Sequence, residues 1–366
     1  VSDHPSPEAL SAFLRGELPA GPKVPRKKVD DVERIERQLA RSWSLRYENP
    51  SLMVQHAMIA VKKAKALEAL RYGTDRVFDL RGKAEAELGN AYRVLDQHDL
   101  AEERLDHARY LLGLGSGDES LQIRLMELEA SLDADRRRFG LAASLLLKVC
   151  EFHQRTGNRH LAGRASIKRG LYVGYAGYPE EAIGILEEGL SQVDGESEPS
   201  LVYAARHNQF LFLIDCGRFR EAQIFRMRHG QILSRAEGRM NRARLRELDG
   251  RIEAGLGNPG RAETAFREVK EEFEELSRPY IASIVALDLA TALLSQGRPK
   301  EAEEEVRAAA KVFQALRIER EALAAVLVLR TALEMGRATV ALAEDVAAFI
   351  RRLDTDPNAR FEIRPL

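Results

Sequence analysis

The residues best suited to chemistry are few and scattered. Cys150 and His153 stand three positions apart; on a helix this puts thiol and imidazole on one face, as in a thiolate–imidazole pair or half of a metal site. His160 follows on the next helix, and no further ligand falls at a recognisable spacing. The expectation is a buried thiol beside a helix-surface histidine. Gly113-Leu114-Gly115-Ser116-Gly117-Asp118 has glycines that invite a phosphate-loop reading. Such a loop also needs a preceding strand and a Gly-Lys-Ser/Thr ending. Here a helical pattern precedes and no lysine follows, so the stretch reads as a turn. Cys216, just before Gly217, reads as a packing residue, and His207, between Arg206 and Asn208, as solvent-exposed, with ligand contact the second reading. No nucleophile, base and polarising group can be named together. The sequence predicts no enzyme, no metal and no cofactor.

The strongest charge feature is a basic stretch: Arg226, Arg228, Arg235, Arg239, Arg242, Arg244, Arg246 and Arg251, against Glu237, Glu247 and Asp249. Arg244, Glu247 and Arg251 recur at helical intervals and share a face. Two readings stand. One is ion pairing within the chain, above all with Glu263, Glu268, Glu271, Glu272, Glu274 and Glu275. The other is an acidic peptide or a nucleic acid, since the planar guanidinium grips carboxylate or phosphate in pairs. No reading helix, strand platform or stacking surface accompanies the arginines. Over 366 residues, 56 basic and 57 acidic side chains give a net charge of -1, which argues against non-specific phosphate-backbone binding as the main task.

What positions these side chains is a repeat. Gly177-Tyr178-Pro179-Glu180-Glu181-Ala182 returns as Gly217 to Ala222, Gly257 to Ala262, Gly297 to Ala302 and Gly336 to Ala341, with alanines 40, 40, 40 and 39 residues apart. At the same interval backwards lie Ala142 and Ala101. Seven units of this period predict a helical solenoid in which each hairpin packs on its neighbours. Small residues such as Gly82, Gly170 and Gly174 alternate with leucines and aromatics, which lets paired helices approach closely.

Residues 1–29 read as a short helix over 6–18, then a Pro/Gly linker ending in the basic group Lys23, Arg26, Lys27 and Lys28. Residues 30–73 read as a two-helix cap. Its first helix starts near Asp31 with Trp43 on its apolar side; its second is capped by Ser51 and runs through Leu70 to Tyr72-Gly73. The solenoid fills 74–353, and 354–366 is a tail either laid over the last hairpin or disordered. No apolar run reaches the length that spans a bilayer. The first residues lack a secretory pattern, and the two cysteines form no disulfide framework. The expectation is a cytoplasmic protein with no membrane partner.

These units resemble the tetratricopeptide repeat superfamily. Gly250, Gly257, Ala262 and Phe266 carry the resemblance in one unit; Gly163, Gly170, Tyr178, Ala182, Leu186 and Gly189 carry it in another. It spans roughly residues 75–350, although the family's usual period is 34. The resemblance implies an all-α, right-handed superhelical α-solenoid of TPR-like antiparallel hairpins, whose opening helices line an inner groove for a protein or peptide. Groove-facing candidates are then Lys83, Asn90, Arg93, Arg164, His207, Arg244, Glu247 and Arg251. His4 to Leu18 also resembles the opening of bacterial anti-sigma-like and regulatory proteins, without the cysteine pair of the zinc-containing kind. The expected function is a non-enzymatic scaffold or regulator that binds a protein segment, of acidic character if the basic stretch makes the contact. The alternative is a ligand-responsive or nucleic-acid-linked transcriptional regulator.

Overall fold

The computed structural model describes residues 30–235, 238–316 and 320–361. The amino-terminal helix, the linker with its basic group and the anti-sigma-like stretch lie outside the described residues. The described residues are helical, with no strand. They divide into two units, one comprising residues 30–97 and 106–117, the other the described residues of 98–105 and 118–361.

In the first unit, α1 (Asp31–Ser44) and α2 (Pro50–Lys65) pair. α2 also packs on α4 (Thr74–Val94), which follows the one-turn helix α3 (Ala69–Tyr72). Ile35, Met53, Ala57, Val61, Val77 and Leu88 share one core. The side chain of Asn49 accepts from the Leu52 amide, so the cap of α2 is Asn49 and not Ser51, and Pro50 fills the first helical position. That proline has no amide hydrogen to satisfy, so the cap can lie one step earlier. The helix expected to reach Tyr72 instead ends at Lys65. There Arg81 donates to the carbonyls of Ala64, Lys65 and Leu67, at and just past the end of the helix. Leu70 is consequently fully exposed, and Trp43 is exposed as well.

The second unit carries the repeat. It contains α6 (Glu119–Asp135), α7 (Phe139–Arg155), α8 (Arg159–Tyr175), α9 (Pro179–Gln192), α10 (Pro199–Asp215) and α11 (Phe219–Arg228). These lead to the one-turn α12 (Gly230–Leu233), α13 (Gly238–Gly255), α14 (Pro259–Glu275), α15 (Pro279–Ser295), α16 (Pro299–Ala315), α17 (Arg320–Glu334) and α18 (Val340–Leu353). α5 (His98–Gly113) contributes residues to both units. Packing is largely between sequence neighbours, from α6 on α7 through to α17 on α18. Ala101, Ala142, Ala182, Ala222, Ala262 and Ala302, the residues that set the period, are all 0% exposed. The last copy departs from this: Ala341 is exposed and the buried alanine is Ala343. α18 there starts from a Thr339 cap rather than straight after the corner.

Gly177, Gly217, Gly257, Gly297 and Gly336 occupy equivalent corners, all with positive φ. Each ends a helix, and the next amide bonds back five residues, as from Tyr178 to Val173 and Arg218 to Leu213. Asp96, Arg137 and Ser277 hold the same left-handed turn without being glycine, at φ 57°, 58° and 56°. For such residues the conformation costs about 1 kcal/mol or somewhat more. Ser277→Gly is therefore expected to raise stability by up to about 1 kcal/mol, reduced by the extra freedom glycine brings to the unfolded chain. The denaturation midpoint in urea is the measurement.

Candidate functional site

A cavity of about 780 Å³ opens in the second unit. Opening helices of successive hairpins supply most of its lining: Tyr175 from α8, Tyr203 and His207 from α10, Arg244 and Glu247 from α13, Tyr280 and Ile284 from α15. The spacings dictate this. Tyr203, His207 and Leu211 step four residues along one face of α10, and Arg244, Glu247 and Arg251 step three and four along one face of α13. The opposite faces are spent on the core, through Ala205 and Leu213 on α10 and Ala243 and Leu245 on α13. A further wall comes from Arg351, Arg352, Asp354 and Thr355 at the end of α18.

Most charges around the cavity are already committed. Arg251 donates to Asp215 at 2.9 Å. Arg351 bonds to the buried carboxylate of Asp288. Asp354 accepts from the Tyr280 hydroxyl at 3.2 Å, and Tyr175 donates to Asn208 at 2.7 Å. Arg244 makes no hydrogen bond or ion pair with a described residue. Burial, and then the charge of Arg244 at longer range, lower the pKa of His207.

Burial raises the carboxyl of Glu247, Arg351 opposes this, and Asp288 adds to it. A carboxyl whose folded pKa exceeds its unfolded value binds more protons folded than unfolded between the two. Its contribution to stability therefore falls as pH rises through that window. Glu247→Gln is expected to stabilise the protein at neutral pH, with the gain shrinking as pH falls through the raised value. Urea midpoints across acid to neutral pH measure it.

Of the eight sequence candidates, His207, Arg244, Glu247 and Arg251 meet at the cavity. Arg164 bonds Glu198 at 3.3 Å, beside His160, whose ring contacts the same carboxylate and the Asp194 amide. Lys83, Asn90 and Arg93 lie in the first unit: Lys83 bonds Glu36 at 2.8 Å, and Asn90 is buried with its oxygen accepting from Arg93. His207 is half-buried rather than solvent-exposed. Sequence reasoning did not single out Tyr280 or Arg351, Arg352, Asp354 and Thr355 as lining a site, because nothing local in the repeat says that the end of α18 reaches the cavity.

The basic stretch is substantially neutralised within the chain. Arg226 pairs with Asp249, Arg239 with Glu272 and Glu275, and Arg246 with Glu272. In the glycine loop, the Ser116 amide donates to Asp79, so a carboxylate sits where an anion would have to bind. His153 is buried, not on the helix surface, with its ring edge-on to Phe152 at 5.3 Å. Burial lowers its pKa and pushes the Cys150 thiol up to about 11, so the site disfavours both imidazolium and thiolate. Cys216 is also pushed up to about 11, by burial and then by Glu180. Among the described residues no group of three His, Cys, Asp or Glu could hold a metal ion, and no helix is long and apolar enough to cross a membrane.

No protein-family model and no curated protein matches the chain. Solved structures do. A Rap protein complexed with competence and sporulation factor superposes with a TM-score of 0.59 at 12% identity, covering 88% of this chain and 90% of that one. The apo form of RapI gives 0.55 at 12%, covering 78% and 99%. NprR in complex with its cognate peptide NprX gives 0.53 at 12%, covering 81% and 83%. At this identity the likeness is one of fold: the chain has the all-α, TPR-like helical-repeat architecture these three proteins share.

Proposed function

We propose that the protein is a non-enzymatic regulatory scaffold that binds a peptide or protein segment in the cavity of its second unit. The observation that carries this is a concave, partly apolar site in which Arg244 bonds to no described residue. Its volume lies in the range of about 300–1,000 Å³ typical of ligand sites. An uncommitted guanidinium among tyrosines offers directional donors beside apolar area, which suits a peptide bearing a carboxylate. Two proteins of similar fold were crystallised as complexes, one with competence and sporulation factor and one with its cognate peptide NprX. That is the second support for the reading.

The test is recovery of bound peptides from a fractionated cell extract, identified by mass spectrometry, on immobilised wild type and Arg244→Glu. Enrichment on wild type with at least a tenfold loss on the variant is expected. Equal recovery would reject the Arg244 contact, and no peptide on either would reject the function. Arg251→Glu is the poorer probe, because it would set two carboxylates against each other at Asp215.

A further inference from the structure

The carboxy-terminal wall of the cavity is held from an unexpected place. Arg137, at the corner between α6 and α7, donates through Nη1 to the carbonyl of Leu353 at 3.1 Å and to that of Asp354. Those oxygens end α18, where a helix leaves carbonyls without intrahelical partners and carries its negative pole. A cation from more than two hundred residues earlier in the chain thus caps the last described helix. On the cavity side the same turn is held by Tyr280 on Asp354 and by Arg351 on Asp288. Beyond it, Ala359 is buried and Phe361 lies 5.1 Å from Phe349, so the segment folds back over its own helix.

The fastenings differ in kind. Arg351 and Leu353 belong to the buried end of α18, but past the helix Phe361 packs on Phe349 of α18, whereas Asp354 is held to other hairpins by the polar bonds of Arg137 and Tyr280. Polar bonds near the surface are individually worth about 1 kcal/mol or less, so the segment can detach from those hairpins without unpacking its own helix. Arg137 occupies its corner with φ 58°, a conformation glycine would adopt more easily, so the side chain is present at some cost to the backbone.

We propose that residues 354–356 form a clasp, pinned by Arg137, whose release widens access to the cavity. The inference builds on the reading of the cavity as a binding site, but its test needs no ligand. Labelling of the thiol introduced by A204C, on the cavity wall, is followed with a bulky maleimide beside the native Cys216 and the buried Cys150. Arg137→Gly removes the pin and at the same time relieves the left-handed turn, so the fold itself should not suffer. R137A keeps the turn strained and should act alike on the clasp.

Both variants are expected to speed cavity labelling about tenfold and hydrogen exchange at residues 353–361 by at least as much. Cys216 should be unchanged and Cys150 unreactive. Unchanged cavity labelling, with or without a loosened tail, overturns the clasp. Rapid labelling of Cys150 in both variants overturns it too, since Arg137 would then hold the whole fold. Failure to find a peptide would leave these labelling outcomes standing, so the two readings fail separately.

Discussion

Gly189→Val is expected to destabilise the protein by about 3 kcal/mol, although valine is the better helix former. A Cβ at Gly189 would stand 2.9 Å from the backbone nitrogen of Ile167 and 3.0 Å from the carbonyl oxygen of Gly163. A Cβ at Gly163 would stand 2.8 Å from the Gly189 carbonyl oxygen. α8 and α9 therefore touch backbone to backbone, and no side-chain rotation relieves the contact. Inserting atoms into a packed interface costs about 1–3 kcal/mol and sometimes more. Helix propensity returns less than about 1 kcal/mol.

Gly184, on the same helix and exposed, would have nothing near its Cβ. Gly184→Ala should accordingly stabilise by up to about 1 kcal/mol. Opposite signs at two glycines five residues apart, read from urea denaturation, are the expected result; a stabilising Gly189→Val would mean the helices are not in this contact.

The second large effect is at Arg351. Its guanidinium bonds Asp288, which is 8% exposed, and it also opposes the rise in the Glu247 carboxyl. Arg351→Met would strand a buried carboxylate. Breaking such a pair costs about 3–5 kcal/mol, and because some solvent reaches Arg351 the lower end, about 3 kcal/mol, is expected. Adding Asp288→Leu should recover most of the loss, since replacing both partners removes the stranded charge. A double variant as unstable as the single one would show that the pair is not the source.

The repeat was legible because its signal is local and periodic. Alanines that let α7, α9, α11, α14 and α16 approach their partners recur at one interval, and the glycine corners keep the same period. Where a corner uses Asp96 or Arg137, the alanine spacing alone reveals it. Two interruptions left no such trace. α2 ends at Lys65 because Arg81, a residue of another helix, takes up its terminal carbonyls; α11 breaks before Gly230, and the following turn buries Leu233.

The candidate site was half legible. The spacing of Arg244, Glu247 and Arg251 identifies their common face, but not that Arg251 is bound to Asp215 on the neighbouring hairpin. The wall from the end of α18 is a contact between distant parts of the chain, for which a repeat pattern carries no information.

Several ion pairs span almost one repeat: Arg218 to Glu180, Arg251 to Asp215, Arg298 to Glu263, and Lys270 to Glu305. Arg218 and Glu180 are exposed enough to add little, whereas Lys270 and Glu305 are largely covered. Because every rung joins only adjacent hairpins, removing or duplicating one whole period inside the array would leave the other rungs with their partners. The architecture can change length in whole modules, and descent from a shorter ancestor by tandem duplication would have required no new pairing rules.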